Sequence, residues 1–163
     1  MMLGLSLSTF TIVHVVISLI AIVTGLIAVF GMLTGNRMAG WTMIFLVTTI
    51  LTSVTGFGFP FDHFLPSHWV GVISLVFLAV AVFAIYVQHL AGPWRWIYVV
   101  SAIVALWFNV FVLIVQSFMK VSALKALAPT QSEPPFLIAQ IATLLAFVYL
   151  GYAGIRRFHP LRA

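Results

Sequence analysis

The sequence contains no cysteine and only two acidic residues among 163. Without cysteine there is no disulfide, no thiolate metal site and no thiol nucleophile. Two acids in the whole chain place no pair of carboxylates within a membrane span, which argues against a carboxylate-relay proton pump. Charge of either sign is scarce: 6% of residues are Asp, Glu, Lys or Arg, where a soluble domain carries about 25%. A water-soluble globular fold would lack the polar groups to cover its surface. A disordered chain needs low hydrophobicity and high charge, so it is excluded as well. The chain also has no Walker loop, no Gly-x-Gly-x-x-Gly and no Gly-x-Ser-x-Gly elbow. Its formal net charge of +5 is dispersed rather than gathered into a basic patch, so nucleic acid is rejected as a partner.

What is present is apolar. Hydrophobic residues make up 64% of the chain, and the partner they imply is a lipid bilayer. A spanning helix needs about 20 mostly apolar residues, and five stretches meet that length: 10–33, 41–59, 69–87, 96–119 and 136–155. They are continuously apolar rather than alternating, which argues against barrel strands. The expected fold class is therefore all-α: a polytopic five-transmembrane-helix bundle forming a single membrane domain. Prolines mark the breaks, at Pro60 and Pro66, at Pro93 and at Pro134-Pro135, where a helix interior would not tolerate them. Trp41, Trp69, Trp94 and Trp96 sit at span ends, as an interfacial aromatic belt requires. The first apolar run has no basic residues before it and is too long for a signal-peptide core, so it reads as a retained span.

Basic residues orient the spans. Arg37, Arg95, Arg156, Arg157 and Arg162 fall on one side, and Lys120 and Lys125 on the other. The positive-inside rule then predicts an N-terminus outside and a C-terminus in the cytoplasm. With that orientation both acids, Asp62 and Glu133, and the imidazoles of His14, His63 and His68 belong to the outer half. His14 lies about 6 Å inside the first span at 1.5 Å per residue. His14, Ser18, Ala21, Gly25 and Ala28 fall within about 40° of one helical line. This stripe of small residues should face the bundle or a second copy of the chain. Ser101, Ala105, Asn109 and Gln116 share a sector of the fourth span, and Thr48, Thr52 and Thr55 line one face of the second.

The segment 62–68 supplies two imidazoles and a carboxylate, donors that suit zinc, copper or iron. A metal site would draw on His14, Asp62, His63, His68 and Glu133. Its His-x4-His spacing matches no standard helical zinc pair, and the competing reading is an interfacial loop whose Phe57, Phe59, Phe61 and Phe64 anchor it among lipids. The same cluster could hold a haem, with His14 paired to His63 or His68 as axial imidazoles, or a quinone headgroup; the cofactor-binding candidates within the spans are His14, Gln116 and Gln140. For the amides, the competing reading is simple interhelical contact.

The pattern of short loops between spans, with Phe61-Asp62-His63 and Gln131-Ser132-Glu133-Pro134-Pro135-Phe136, resembles the small uncharacterised multi-pass proteins of bacterial inner membranes. That resemblance implies an inner-membrane location and carries over no functional residue. Three readings follow: a membrane protein binding a metal, haem or quinone headgroup at its outer face; an oligomeric channel or carrier; and an accessory subunit of a larger membrane complex. No catalytic residue is assigned, and the balance falls against an enzyme.

Overall fold

A computed structural model describes residues 6–60, 62–63 and 66–160. Among them are six α-helices and no strand. They are α1 (Leu7–Thr34), α2 (Ala39–Gly56), α3 (Pro66–Val82, continued by a π-helical turn, Phe83–Val87), α4 (Trp94–Lys120), α5 (Ser122–Leu127) and α6 (Pro134–Arg157). Five helical segments are long and apolar enough to cross a membrane: α1, α2, α3 with its π turn, α4 and α6. The all-α five-span expectation therefore holds. The third span begins three residues earlier than expected, because Pro66 opens it and proline is favoured in a first helical turn.

The helix ends follow local chemistry. Ser6 accepts the amide N–H of Thr9 at 3.2 Å and starts α1, as a serine N-cap does. Gly35, at φ 72°, stops it. The N–H of Asn36 reaches the carbonyl of Gly31 at 2.8 Å, and that of Gly35 reaches Met32 at 3.3 Å. This is the paired Schellman closure, which needs a left-handed residue at Gly35. Pro134 and Pro135 fill the first turn of α6. At its other end the Arg95 guanidinium donates to the carbonyls of Ile155 at 2.9 Å and Phe158 at 2.7 Å. A cation there also complements the helix dipole.

α4 is the axis of the bundle and touches α1, α2, α3 and α6. Its neighbours pack tightly on only one half of it. The buried cluster takes Ala28 and Met32 from α1, Phe45 and Leu46 from α2, Leu78 and Ala81 from α3, and Tyr98 to Leu106 from α4. All of these lie toward the end that carries Arg37 and Arg95. α6 joins the same half through Gly151 and Gly154, where an added Cβ would stand 3.6 Å from Ile103 and 3.0 Å from Val99. Its other face carries the exposed Ile138, Leu145, Val148 and Tyr149, the apolar surface a lipid-facing helix presents.

The small-residue stripe of α1 faces this bundle. Ala21, Gly25 and Ala28 are buried. A Cβ on Gly25 would meet Leu106 at 2.6 Å and the Phe45 ring at 2.9 Å. On α2 the buried line is Thr42, Phe45, Leu46, Thr49 and Ser53, about one residue round from the expected Thr48, Thr52 and Thr55. The large Phe45 and Leu46 side chains set that rotation by filling the space beside α4.

Gly25→Leu should lower the thermal midpoint in detergent by several degrees. Overpacking a filled core costs about 1–3 kcal/mol, and both neighbouring side chains are fully buried. Gly40, with no atom within 4 Å of its would-be Cβ, should accept alanine without such a loss. Differential scanning fluorimetry of the two variants checks this.

Candidate functional site

Away from the arginine-bearing end the helices part. A crevice of about 800 Å³ opens between α1, α2, α3 and α4. On α4 it runs from Phe108 to Lys120, a length of about 18 Å at 1.5 Å per residue. That is a little more than half the thickness of a hydrocarbon core of about 30 Å. Its walls include Val15, Leu19, Ile22, Phe108 and Val112, with polar groups set among them at different depths.

His14 is the best-defined of these groups. Its Nδ1 lies 2.7 Å from the Thr55 hydroxyl oxygen. That hydroxyl also lies 2.7 Å from the Leu51 carbonyl, which can only accept. The single Thr55 hydrogen satisfies the carbonyl, so the bond from His14 is donated by Nδ1–H into a Thr55 lone pair. Two hydrogen bonds are then made without conflict, as polar groups held in a membrane require. In a neutral imidazole the other nitrogen, Nε2, carries an acceptor lone pair. No group among the described residues hydrogen-bonds it. The ring is steadied edge-on by Phe59, with centroids 5.1 Å apart, and Phe59 packs in turn on Phe10 at 5.0 Å.

His68 departs from the expectation of a loop residue. It lies in the first turn of α3, 5% exposed, and stacks on Phe57 at 5.5 Å. Phe57 and Phe59 therefore pack on crevice histidines. The other two aromatics of the lipid-anchor reading, Phe61 and Phe64, lie outside the described residues. The deep end holds Asn109, whose amide donates to Thr49 at 3.4 Å, and the Ser53–Ser74 hydroxyl pair at 3.4 Å. Gln116, Ser117 and Lys120 stand toward the mouth.

The sequence candidates thus divide. His14, His68 and Gln116 share the crevice wall. Asp62 and His63 are exposed and outside it. Among the described residues no three His, Cys, Asp or Glu side chains come together as a metal-holding group. Gln140 belongs to the α4–α6 contact, where its amide donates to the Phe111 carbonyl at 3.3 Å. Its Oε1 and the Trp107 indole N–H are buried without a partner among the described residues.

Glu133 is occupied by its own turn. It accepts from the Thr130 hydroxyl at 2.8 Å and from the backbone N–H groups of Thr130 and Ser132 at 3.1–3.3 Å. Desolvation, the largest single influence, pushes its carboxyl up, but the hydrogen bonds together outweigh it and hold the group below the usual carboxylate range. The crevice wall also includes Ser53, Ser74 and Lys120, which carry no metal- or cofactor-binding signature in the sequence. Thr55 was placed on a polar stripe, but nothing in the chain couples it to a histidine 41 positions away.

Comparisons with family models, curated proteins and solved structures find no match to this chain.

The Glu133 turn gives a signed pH dependence. A carboxyl with a depressed folded-state pKa contributes stability above its ordinary pKa, and this is lost as pH falls through the depressed value. The chain has no cysteine, so Pro129→Cys supplies a unique site for a nitroxide label. Label mobility should be flat from neutral pH down to the ordinary carboxylate range and rise below it. Glu133→Gln should raise it already at neutral pH.

Proposed function

We propose that this chain is an intramembrane binding protein whose crevice receives a lipid-soluble molecule with a polar aromatic headgroup, of the quinone class. The observation that carries the reading is His14. Its Nε2 is free of any bond among the described residues, in a crevice that an amphipathic molecule can enter and fill. Ligand pockets of this kind are mostly apolar, with a few placed polar groups fixing orientation, and the volume of about 800 Å³ lies in their usual range. An ionisable residue within a span is itself a pointer to function. The donor set suits a headgroup better than a metal. It offers imidazole, amide and hydroxyl, while the two acids lie off the crevice wall.

The same reading places the protein in a bacterial inner membrane with the crevice mouth on the outer side. Arg37, Arg95, Arg156 and Arg157 would face the cytoplasm, against Lys120 and Lys125 outside. Arg162, which belongs to that count, lies outside the described residues. Reporter fusions at Gly35 should read cytoplasmic, and fusions at Pro129 should read periplasmic.

Binding is tested in lipid nanodiscs by titrating a decyl-substituted benzoquinol under anaerobic conditions and following quenching of tryptophan fluorescence. A saturable one-to-one isotherm is expected, weakened about tenfold or more in His14→Leu. Linear, non-saturating quenching in both proteins would remove the quinone-class reading. An optical spectrum of the same sample carries the haem alternative: a Soret band on purified protein would assign His14 and His68 to haem iron instead.

A further inference from the structure

Four hydroxyls of the crevice wall present acceptors only. Thr11 donates its hydroxyl to the Leu7 carbonyl at 2.8 Å, and Ser18 donates to the His14 backbone carbonyl at 2.7 Å. Thr52 donates to Thr48 at 2.9 Å, and Ser117 donates to Leu113 at 2.7 Å. All four residues line the crevice. Each has spent its only hydrogen on its own helix, the usual arrangement for such residues in an apolar setting. What they still present is oxygen lone pairs.

His14 adds another acceptor. The Thr55 oxygen takes the Nδ1 proton and thereby fixes the neutral tautomer whose Nε2 accepts. The partner hydrogen bond decides which imidazole nitrogen faces a ligand. A ligand that brings only carbonyl oxygens would set lone pair against lone pair at His14. A ligand that brings an O–H satisfies it.

The charge of that donor is also constrained. The crevice wall includes no carboxylate, and Lys120 stands at the mouth. An ammonium headgroup would be desolvated there without a counter-charge, and would pass a like charge on entry. A neutral hydroxyl meets neither barrier. Gln116 and Lys120 hold N–H donors toward the mouth and Asn109 holds one at the deep end, with His14 and the accepting oxygens between them.

Resting on the binding role proposed above, we infer that the crevice selects the hydroxyl form of its ligand, a quinol or phenol headgroup, over the corresponding quinone, with His14 Nε2 accepting the ligand O–H and Thr55 as the positioning residue that holds His14 in the accepting tautomer.

The test compares three probes under anaerobic, reducing-agent-controlled conditions in nanodiscs: a decyl-substituted benzoquinol, the matching benzoquinone and the dimethyl ether of the quinol. The ether keeps the shape and removes both hydrogens. The quinol should bind about tenfold more tightly than either of the others, the scale of one hydrogen bond to a buried acceptor. Thr55→Val keeps the side-chain shape and removes the lone pair that accepts from His14, so it should abolish that preference. Thr55→Ser should retain it. Nitrogen-15 NMR of the histidine rings at alkaline pH provides a readout that a merely structural role for Thr55 would not move. It should report His14 protonated at Nδ1 in the wild type and a mixture of tautomers in Thr55→Val. If all three probes bind alike, or the quinone binds best, the inference is overturned while the binding role stands. If none binds, the binding role itself falls. The wild-type comparison decides the matter even if a variant fails to fold.

Discussion

The close approach of α1 to α2 and α4 at Gly25 fixes the rest of the molecule. With no side chain there, the α1 backbone settles against the Phe45 ring and the Leu106 methyl. Membrane helices have no hydrophobic force drawing them together, so packing at such small residues is what holds them. Ala21 and Ala28 extend the contact on either side of Gly25, while Gly151 and Gly154 bring α6 against α4. Every other feature is arranged around that half-bundle: the arginine clamp on the α6 terminus at one end, and the parting of the helices at the other.

The parting has a chemical reason as well as a geometric one. Toward the arginine-bearing end the facing residues of α1 to α4 are mostly alanine, leucine, valine and phenylalanine, which interdigitate around the buried Thr42, Ser101 and Tyr98. Beyond Asn109 they become His14, Ser18, Thr52, Ser53, His68 and Gln116. Polar side chains placed in apolar surroundings must find partners, and each of the serines and threonines finds one within its own helix or on its immediate neighbour. That leaves no strong bond to draw α1 and α4 together at this end. The crevice is where self-satisfied polar helices meet without closing, and His14 is the member left with an acceptor lone pair that no described group fills.

The helices and their order could be read from the chain, because span length and apolarity are local properties that lipid enforces directly. The inward face of α1 was equally legible, since His14, Ser18, Ala21, Gly25 and Ala28 share one line at the helical period. Proline positions set the starts of α3 and α6. The first of these, at Pro66, also explains why His68 is a helix residue and not a loop residue: the segment 62–68 contains both the end of a connection and the first turn of a span.

The grouping of the candidate residues was not legible in the same way. Asp62, His63 and Glu133 lie at the same end of the bundle as His14, and shared depth made them plausible companions. Depth is one coordinate of three. The tertiary structure gave Glu133 to the Thr130 turn, Gln140 to the Phe111 carbonyl and His68 to the Phe57 ring. It also paired His14 with Thr55 across 41 residues. The sequence by itself determined how many times the chain can cross a bilayer and which faces avoid lipid, because those follow from hydropathy and a fixed helical period. Which nitrogen of His14 is free, and what shares its crevice, depended on the relative rotation of α1 and α2. Only the packing of Gly25, Phe45 and Leu106 sets that rotation.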